Sequence, residues 1–507
     1  MFERFLKDRR SIFLYSFLLF SIGSFGITFF PPDEPKYVDA ALRMIETGNY
    51  IVPFFNCHVR FDKPILYYWE LVVFFKAFFV DNLIKAGIDP AGIVEYAARL
   101  PSIIAASMTA VYIHKLAEKL FDDKVAKVSV VGFLSTLFFF YLSRAVYPDM
   151  SLILFELMGV YYFIKDKYCL GWVFTALAFL VKGPIGVVSV GFTYFLYLWI
   201  VKRKTGISEF FSLKNGIGFL LFLLISLPWY ITVYKVYGME FVNKFFIYHN
   251  IERFTGKAHQ HPHSFFYFFP VALAALYLWL PYAYNFIKNI NFSNKRILFL
   301  IGWFLWIFLF FSISRNKLAH YIAFGFIPTS ILFGVYAPYF TNNKNKAFVV
   351  FAVEFLAGIV LSFYLYKMKV YYAIPTLLFG LFFVGFINFR RDVIKLIFYK
   401  TIALSLVAAI FLLQLEPYRA VPKVYKEVIK RKLPLLEYKI SNQSLVAYTR
   451  MCLKEYKNPQ ALPKDTTYLL YTKAKHLKDL KSFKFQVIYS NMIDKGTKTD
   501  LLIFYGD

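Results

Sequence analysis

About thirteen apolar runs, each long enough to cross a bilayer or nearly so, succeed one another up to residue 415, separated by short charged loops. A spanning helix needs roughly 20 largely apolar residues. The runs lie near 11–30, 99–117, 125–143, 148–165, 169–182, 184–201, 215–235, 266–287, 296–314, 321–340, 347–366, 370–388 and 396–415. This pattern excludes a water-soluble globular fold. At 59% hydrophobic residues the chain exceeds the roughly 45–50% of soluble domains, and its 63 Phe and 39 Tyr suit a bilayer core and its headgroup belts. The first run is too long for a signal-peptide core and lacks a small-residue cleavage site, so it reads as a retained helix.

The loops are sorted by charge. Lys and Arg accumulate in cytoplasmic loops, and the N-terminal "RFLKDRR" therefore reads as inside. Alternate loops agree: "HKLAEKLFDDKVAK", "KDK", "VKRK", "NKR", "NNKNK" and "FRRDVIK" all fall on that side. The opening stretch after residue 30, "SRAVYPDM", the 236–265 loop and "SRNKLAHY" fall on the other. The first outer loop is the longest, and its segments 34–47 and 65–80 read as amphipathic helices at the interface. The weak joint is Gly183-Pro184. Were 169–201 a single span, the loops after it would change sides.

From Glu416 the character changes to mixed, lysine-rich sequence. "TTYLLYTKA", "FKFQVIYS" and "KTDLLIFYG" alternate like strands. The expected organisation is an all-α polytopic membrane domain over 1–415 and a small soluble α/β domain over 416–507, outside because the span count is odd. Cys57, Cys169 and Cys452 fit no metal or redox spacing, and no disulfide framework is expected. The net charge of +27 has two sources, topogenic lysines and attraction to anionic headgroups or phosphorylated lipids.

The outer loops hold the candidate chemistry. Asp33 and Glu34 stand side by side at the end of the first span. Asp33 reads either as a helix cap or as a carboxylate that orients or deprotonates an acceptor. Lys36, Arg60, Lys63, Lys182, Arg253 and Lys317 are outer-face cations, either snorkelling to headgroups or converging on a phosphate. Asp149 in "SRAVYPDM" is either a helix-start residue or a second carboxylate facing the same cavity. His249, His259, His261 and His263 sit in one loop. Their spacing matches no standard zinc site, so a polar loop touching substrate is the stronger reading. A divalent metal is compatible with these residues but unsupported by them.

The ordered motifs Asp33-Glu34, "MIETGNYIVPFFN", "FDKPILYYW", "AARLPS", "YPDM", "VKGP", "HNIERF" and "SRNKLAHYI" resemble the bacterial aminoarabinose transferases and the related protein O-mannosyltransferase-like enzymes. The resemblance runs over roughly residues 10–335, and the span count extends it to about 415. It implies a GT-C-type membrane glycosyltransferase using a polyprenyl-phosphate sugar donor. On this basis Asp33 and Asp149 are the catalytic candidates. Glu34, Lys36, Tyr37, Asp62, Lys63, His249, Arg253 and Tyr321 are the substrate-binding candidates. Lys63 falls in the aromatic-acidic-Lys-Pro motif that reaches the donor phosphate, with Asp62 where relatives often have Glu. Lys36 stands where relatives usually have Arg, and Arg253 and Tyr321 match positions near the lipid phosphate.

The implied activity is inverting transfer of 4-amino-4-deoxy-L-arabinose or a related sugar from undecaprenyl phosphate, or a similar carrier, to lipid A, on the periplasmic face of the inner membrane. The donor is already activated, so no cofactor is expected, and nucleic acid is not a partner. Two alternatives stand beside it: a transferase to protein or another glycan with the same donor class, and a transporter or flippase of a lipid-linked sugar. The second is disfavoured because the halves show no inverted repeat and the charges gather at the outer face rather than the midplane.

Overall fold

The computed structural model describes residues 1–86, 91–202, 212–256, 262–494 and 496–505. Each of the thirteen apolar runs is helical, though not uniformly. Among the described residues, seven helices, including Ile93–Leu120, Leu213–Tyr237 and Lys295–Ile313, are long and apolar enough to span a membrane by themselves. An eighth span is a pair, Phe265–Ala275 and Leu280–Lys288, bent by 92° at its break. The other five runs form shorter or interrupted helices, including Asp149–Ile164 and Tyr168–Lys182.

The pair at 169–201 is two helices. Gly183 (φ +76°, ψ −147°) separates Tyr168–Lys182 from Pro184–Tyr197, a backbone region essentially restricted to glycine. A Cβ there would also meet Phe245 at 2.9 Å. Pro184 then opens the second helix, where its missing N–H costs nothing. This reversal leaves Lys182, the last residue of its helix, beside Asp149, the first of its own, 2.6 Å from its Oδ1.

The basic loops meet at the opposite end. Arg9 pairs with Glu118, Lys202 with Asp166 at 2.6 Å and Lys395 with Glu3 at 3.6 Å, while Arg296 donates to the Leu120 carbonyl at 2.6 Å. The alternation of loops read from charge is thus realised in space.

The first run departs from expectation. Its helix covers only Arg9–Ser21, and the backbone then continues irregularly to Asp33, with Gly23 and Gly26 at positive φ. Unpaired carbonyls at membrane depth are tolerated only where protein satisfies them. Three arginines do so. Arg144 reaches the carbonyls of Leu19 (2.6 Å) and Ile22 (2.8 Å). Arg99, 2% exposed, reaches Ser24 (3.0 Å) and Ile27 (2.7 Å). Arg419 reaches Thr28 (2.7 Å) and Phe29 (2.8 Å). The run is not one continuous helix because its carbonyls are bound from the side by residues distant in sequence.

Helix Glu34–Thr47 follows, then the two-residue strands β1 (Phe54–Phe55) and β2 (His58–Val59), then helix Leu66–Ala77. Beyond the last membrane helix, Val393–Leu415, the chain forms a five-stranded sheet of order β4-β3-β5-β7-β6. Its strands are β3 (Leu435–Tyr438), β4 (Glu455–Tyr456), β5 (Tyr468–Lys473), β6 (Phe485–Asp494) and β7 (Thr497–Phe504). The three strand-like segments of the sequence become β5, β6 and β7. β3 runs parallel to β4 and β5, and β7 lies antiparallel between β5 and β6. Helices Ala420–Arg431 and Gln443–Thr449 cover one face with Val424, Val428 and Leu445 against Leu469, Tyr471 and Leu501.

The expectation of no disulfide is corrected. Cys57 and Cys452 are joined, with Cα atoms 5.7 Å apart, tying the turn between β1 and β2 to the sheet-bearing segment; Cys169 is free and exposed. The partners are 395 residues apart, a distance at which sequence spacing carries no information.

Candidate active site

A cavity of about 500 Å³ opens at the end away from the basic loops, between helices Asp149–Ile164, Pro184–Tyr197 and Lys295–Ile313 and the segments 246–255 and 314–324. Its wall is divided by chemistry. Lys63, Lys182, Arg253, Asp149, His249 and His320 supply charge and polarity, and Leu152, Ile185, Val188, Phe310, Phe311 and Phe324 supply an apolar slot. Cations grouped beside an apolar slot suit a phosphate carried on a long hydrocarbon chain.

Local structure explains how the polar group assembles. Asp149 is the first residue of its helix, where an acidic side chain complements the dipole. Its carboxylate does no capping and instead holds Lys182. His320 lies 3.7 Å from the same carboxylate and stacks on Tyr147, with centroids 5.8 Å apart. Lys182 sits over the Tyr321 ring at 5.2 Å. Burial pulls the Lys63 ammonium down to about 8 against the opposing pull of Asp62, and Arg253 and Lys182 add to the fall. Burial also brings His249 down to about 4, leaving a neutral imidazole at neutral pH.

Several polar atoms around this cavity are buried without a protein partner. They are both amide atoms of Asn316, Nδ1 of His249, Nε of Arg253 and Oε1 of Glu156. An unsatisfied buried polar group costs about 1–3 kcal/mol. Such atoms also occur away from the cavity, as at Ser16, Trp303 and Arg450, and those beside it offer hydrogen bonds to a polar ligand that reaches them.

Asp33 is not among the residues that line the cavity. It occupies the N-cap position of helix Glu34–Thr47, yet its side chain caps nothing and is 40% exposed, 3.4 Å from Lys36 Nζ. The capping explanation therefore fails. Its charge, with those of Asp149, Lys182 and Arg253, acts on His320.

Four candidates are used differently from the sequence reading. Glu34 is buried and accepts hydrogen bonds from the backbone N–H groups of Phe30 (2.7 Å) and Val146 (2.8 Å), with Arg99 at 3.4 Å. It braces the Asp33 segment against the Tyr147-Pro148-Asp149 turn and does not line the cavity. Tyr37 is buried under Arg60, whose guanidinium lies 4.3 Å from its ring centre. Asp62 faces Arg60 through both oxygens, one at 2.8 Å. Burial opposes its charge, but Arg60 holds the carboxyl well below the usual range. Lys317 is buried and donates to the carbonyls of Ser314 and His263. These residues shape the site without lining it as the others do.

His263 stacks on Tyr267 at 4.1 Å, while His259 and His261 lie outside the described residues. Among the described residues, the group of three side chains close enough to share a metal is His114, Glu118 and Asp123. It sits at the far end of the molecule with its carboxylates paired to Arg9 and Lys127. Sequence reading passed over His320, Asn316 and Glu156. The first two lie in the quoted "SRNKLAHYI", and Glu156 falls two helical turns after Asp149, on the same face.

The fold and this site define an integral-membrane glycosyltransferase. Residues 62–231 match the dolichyl-phosphate-mannose-protein mannosyltransferase family. An uncharacterized protein of Aquifex aeolicus (strain VF5) is 34% identical over 363 residues, 72% of this chain and 80% of the relative. The undecaprenyl phosphate-alpha-4-amino-4-deoxy-L-arabinose arabinosyl transferase of Wigglesworthia glossinidia brevipalpis is 26% identical, over 75% of this chain and 70% of the relative. The crystal structure of ArnT from Cupriavidus metallidurans bound to undecaprenyl phosphate has the same fold, with a TM-score of 0.76 over 97% of both chains at 18% identity. The chain belongs to the GT-C family of aminoarabinose transferase-like enzymes.

Proposed function

We propose that the protein transfers 4-amino-4-deoxy-L-arabinose, or a closely related sugar, from undecaprenyl phosphate to lipid A at the periplasmic face of the inner membrane. The observation that carries this reading is the cavity itself: three cations and several unpartnered polar groups beside an apolar slot. Relatives named for this reaction support the choice of sugar and carrier.

In this reading Lys63, Lys182 and Arg253 hold the donor phosphate, with Tyr321 alongside, and the polyprenyl chain occupies the slot. Asn316 and His249 supply the hydrogen bonds that orient the sugar. Attack by the acceptor oxygen forms a new bond at the anomeric carbon while the bond to the phosphate oxygen breaks. The electron pair leaves with the polyprenyl phosphate, whose growing charge the cations stabilise. Displacement from the opposite face inverts the anomeric centre. An acceptor hydroxyl gives its proton to Asp33, whereas an acceptor phosphate has none to give and Asp33 only orients it. Asp149 fixes Lys182 and His320. No cofactor enters this scheme, so chelators should leave the rate unchanged.

Mass spectrometry of lipid A from cells with and without the gene tests the reading. A mass difference equal to one aminopentose supports it. Label appearing on protein while lipid A stays unchanged favours the protein-transferase alternative, to which the mannosyltransferase match lends weight. Orientation has its own test. An impermeant thiol reagent should label Lys464→Cys in intact spheroplasts and reach Cys169 only after the membrane is opened. Residue 464 is exposed on the sheet-bearing part, and Cys57 and Cys452 are already paired.

A further inference from the structure

We propose that the C-terminal sheet-bearing segment is a positioning element of the transfer site, acting through Arg419, Ser444 and Tyr448 on the backbone that carries Asp33. The proposal rests on Asp33 acting in transfer.

The contacts converge on three residues. Arg419 stands just beyond the last membrane helix and bonds the carbonyls of Thr28 and Phe29 with its two terminal nitrogens. Glu416 orients that guanidinium at 2.6 Å and also accepts from the Thr28 hydroxyl at 2.8 Å. Ser444 donates to the Phe29 carbonyl at 3.1 Å. The Tyr448 hydroxyl accepts from the Phe29 N–H at 3.3 Å and donates to Glu95. Glu34 takes the next N–H, that of Phe30. The bonds to Thr28, Phe29 and Phe30 lie within a few residues of Asp33, in backbone that belongs to no helix or strand.

The Asp33 carboxylate caps no backbone N–H of its own helix and meets that helix through a long contact of 3.4 Å to Lys36 Nζ, so the backbone that precedes it helps to fix its position. Much of what precedes it is held by residues after 415. The sheet-bearing segment is anchored from the other side as well. The Cys57–Cys452 disulfide and the reciprocal pair between Asn56 and Leu453, at 3.0 and 2.7 Å, fasten it to the strands β1 and β2. A fold that needed only to cover its own apolar face would have no reason to aim an arginine, a serine and a tyrosine at the two successive peptide groups that flank Phe29.

A catalytic group displaced by about 1 Å can lose 100-fold in rate. The cavity cations come from other segments, so disturbing Arg419 should alter turnover and leave donor binding alone. The test uses the full-length enzyme in detergent with an undecaprenyl-phosphate-linked sugar. Arg419→Gln should lower kcat by about tenfold or more, with the donor KM and the melting temperature little changed. Amide hydrogen exchange should quicken over 30–36 and stay constant over 149–156 and 249–256. Arg419→Lys, which can bond one carbonyl at a time, should recover part of the rate. An unchanged kcat per folded molecule, or a loss of kcat matched by a rise in donor KM, overturns the proposal. Should Arg419→Gln fail to fold, Ser444→Ala removes one of the bonds to Phe29, and the same split decides, with a smaller fall in kcat expected. Asp33→Asn is measured in parallel. If that variant keeps its turnover, the reading of Asp33 fails. If it is inactive while Arg419→Gln and Ser444→Ala are fully active, only the positioning proposal fails.

Discussion

Two sets of charged residues meet at the cavity-bearing end of this protein, and they are engaged in opposite ways. In the first outer loop the charges are matched within the protein: Glu34 to Arg99, Asp62 to Arg60, and Asp39 to Arg43 at 2.9 Å. Around the cavity they face inward with bonding capacity left over, as at Arg253, His249 and Asn316. The first set builds the wall and the second faces a ligand. Removing a member of the first should cost stability, and removing a member of the second should cost binding or rate.

Asp33 provides the sharpest break, because it belongs to neither set. It sits at a helix start and caps nothing. Asp33→Asn is nearly isosteric and should lower transfer to an acceptor hydroxyl by about 100- to 10,000-fold, the range for losing a general base, and transfer to an acceptor phosphate by less, with donor affinity and melting temperature retained. Single-turnover kinetics with purified enzyme check this, and near-normal turnover would return Asp33 to an architectural role.

Glu34→Ala should behave in the opposite way. It strands the buried Arg99 charge and two backbone N–H groups, and breaking a buried ion pair typically costs about 3–5 kcal/mol. A lower melting temperature and poor recovery are expected, with the folded fraction still binding donor. Full stability with lost binding would move Glu34 to the ligand-facing set.

These assignments show what sequence can reveal. The apolar runs, the sorting of basic loops and the motif order were readable because each is local. They led to Asp149, Lys63, Lys182, Arg253, His249 and Tyr321, all of which the structure gathers on one cavity or against it. What stayed hidden depends on partners far along the chain. Glu34 and Asp33 are adjacent and chemically alike, and only Arg99 and the Val146 amide separate their roles. The unwinding of the first run is written in Arg99, Arg144 and Arg419, none of them near it in sequence. The disulfide was missed for the same reason.

A gentler probe is pH. The Lys63 ammonium loses its proton near 8 in the empty site, so affinity for the donor phosphate should be full below that value and decline as pH rises through it. Bound phosphate stabilises the charged form and shifts the decline in the loaded enzyme to higher pH. His249 should add no step in its ordinary range, because burial keeps it neutral down to about 4. Affinity measured on both sides of 8 checks the sign. A binding strength that increases with pH would contradict it.

The most direct test is the affinity of purified enzyme for undecaprenyl phosphate in Lys63→Ala, measured together with its melting temperature and beside Lys36→Ala as a control. Losing a charge-assisted contact is worth about 1.5–3 kcal/mol, or roughly 10- to 150-fold in affinity. Lys36, half-exposed beside Asp33, should matter little, since exposed pairs contribute about 0–1 kcal/mol. The account predicts a large loss of affinity in Lys63→Ala at unchanged melting temperature, with Lys36→Ala close to wild type. Wild-type affinity in Lys63→Ala, or a loss explained by a falling melting temperature, would contradict it.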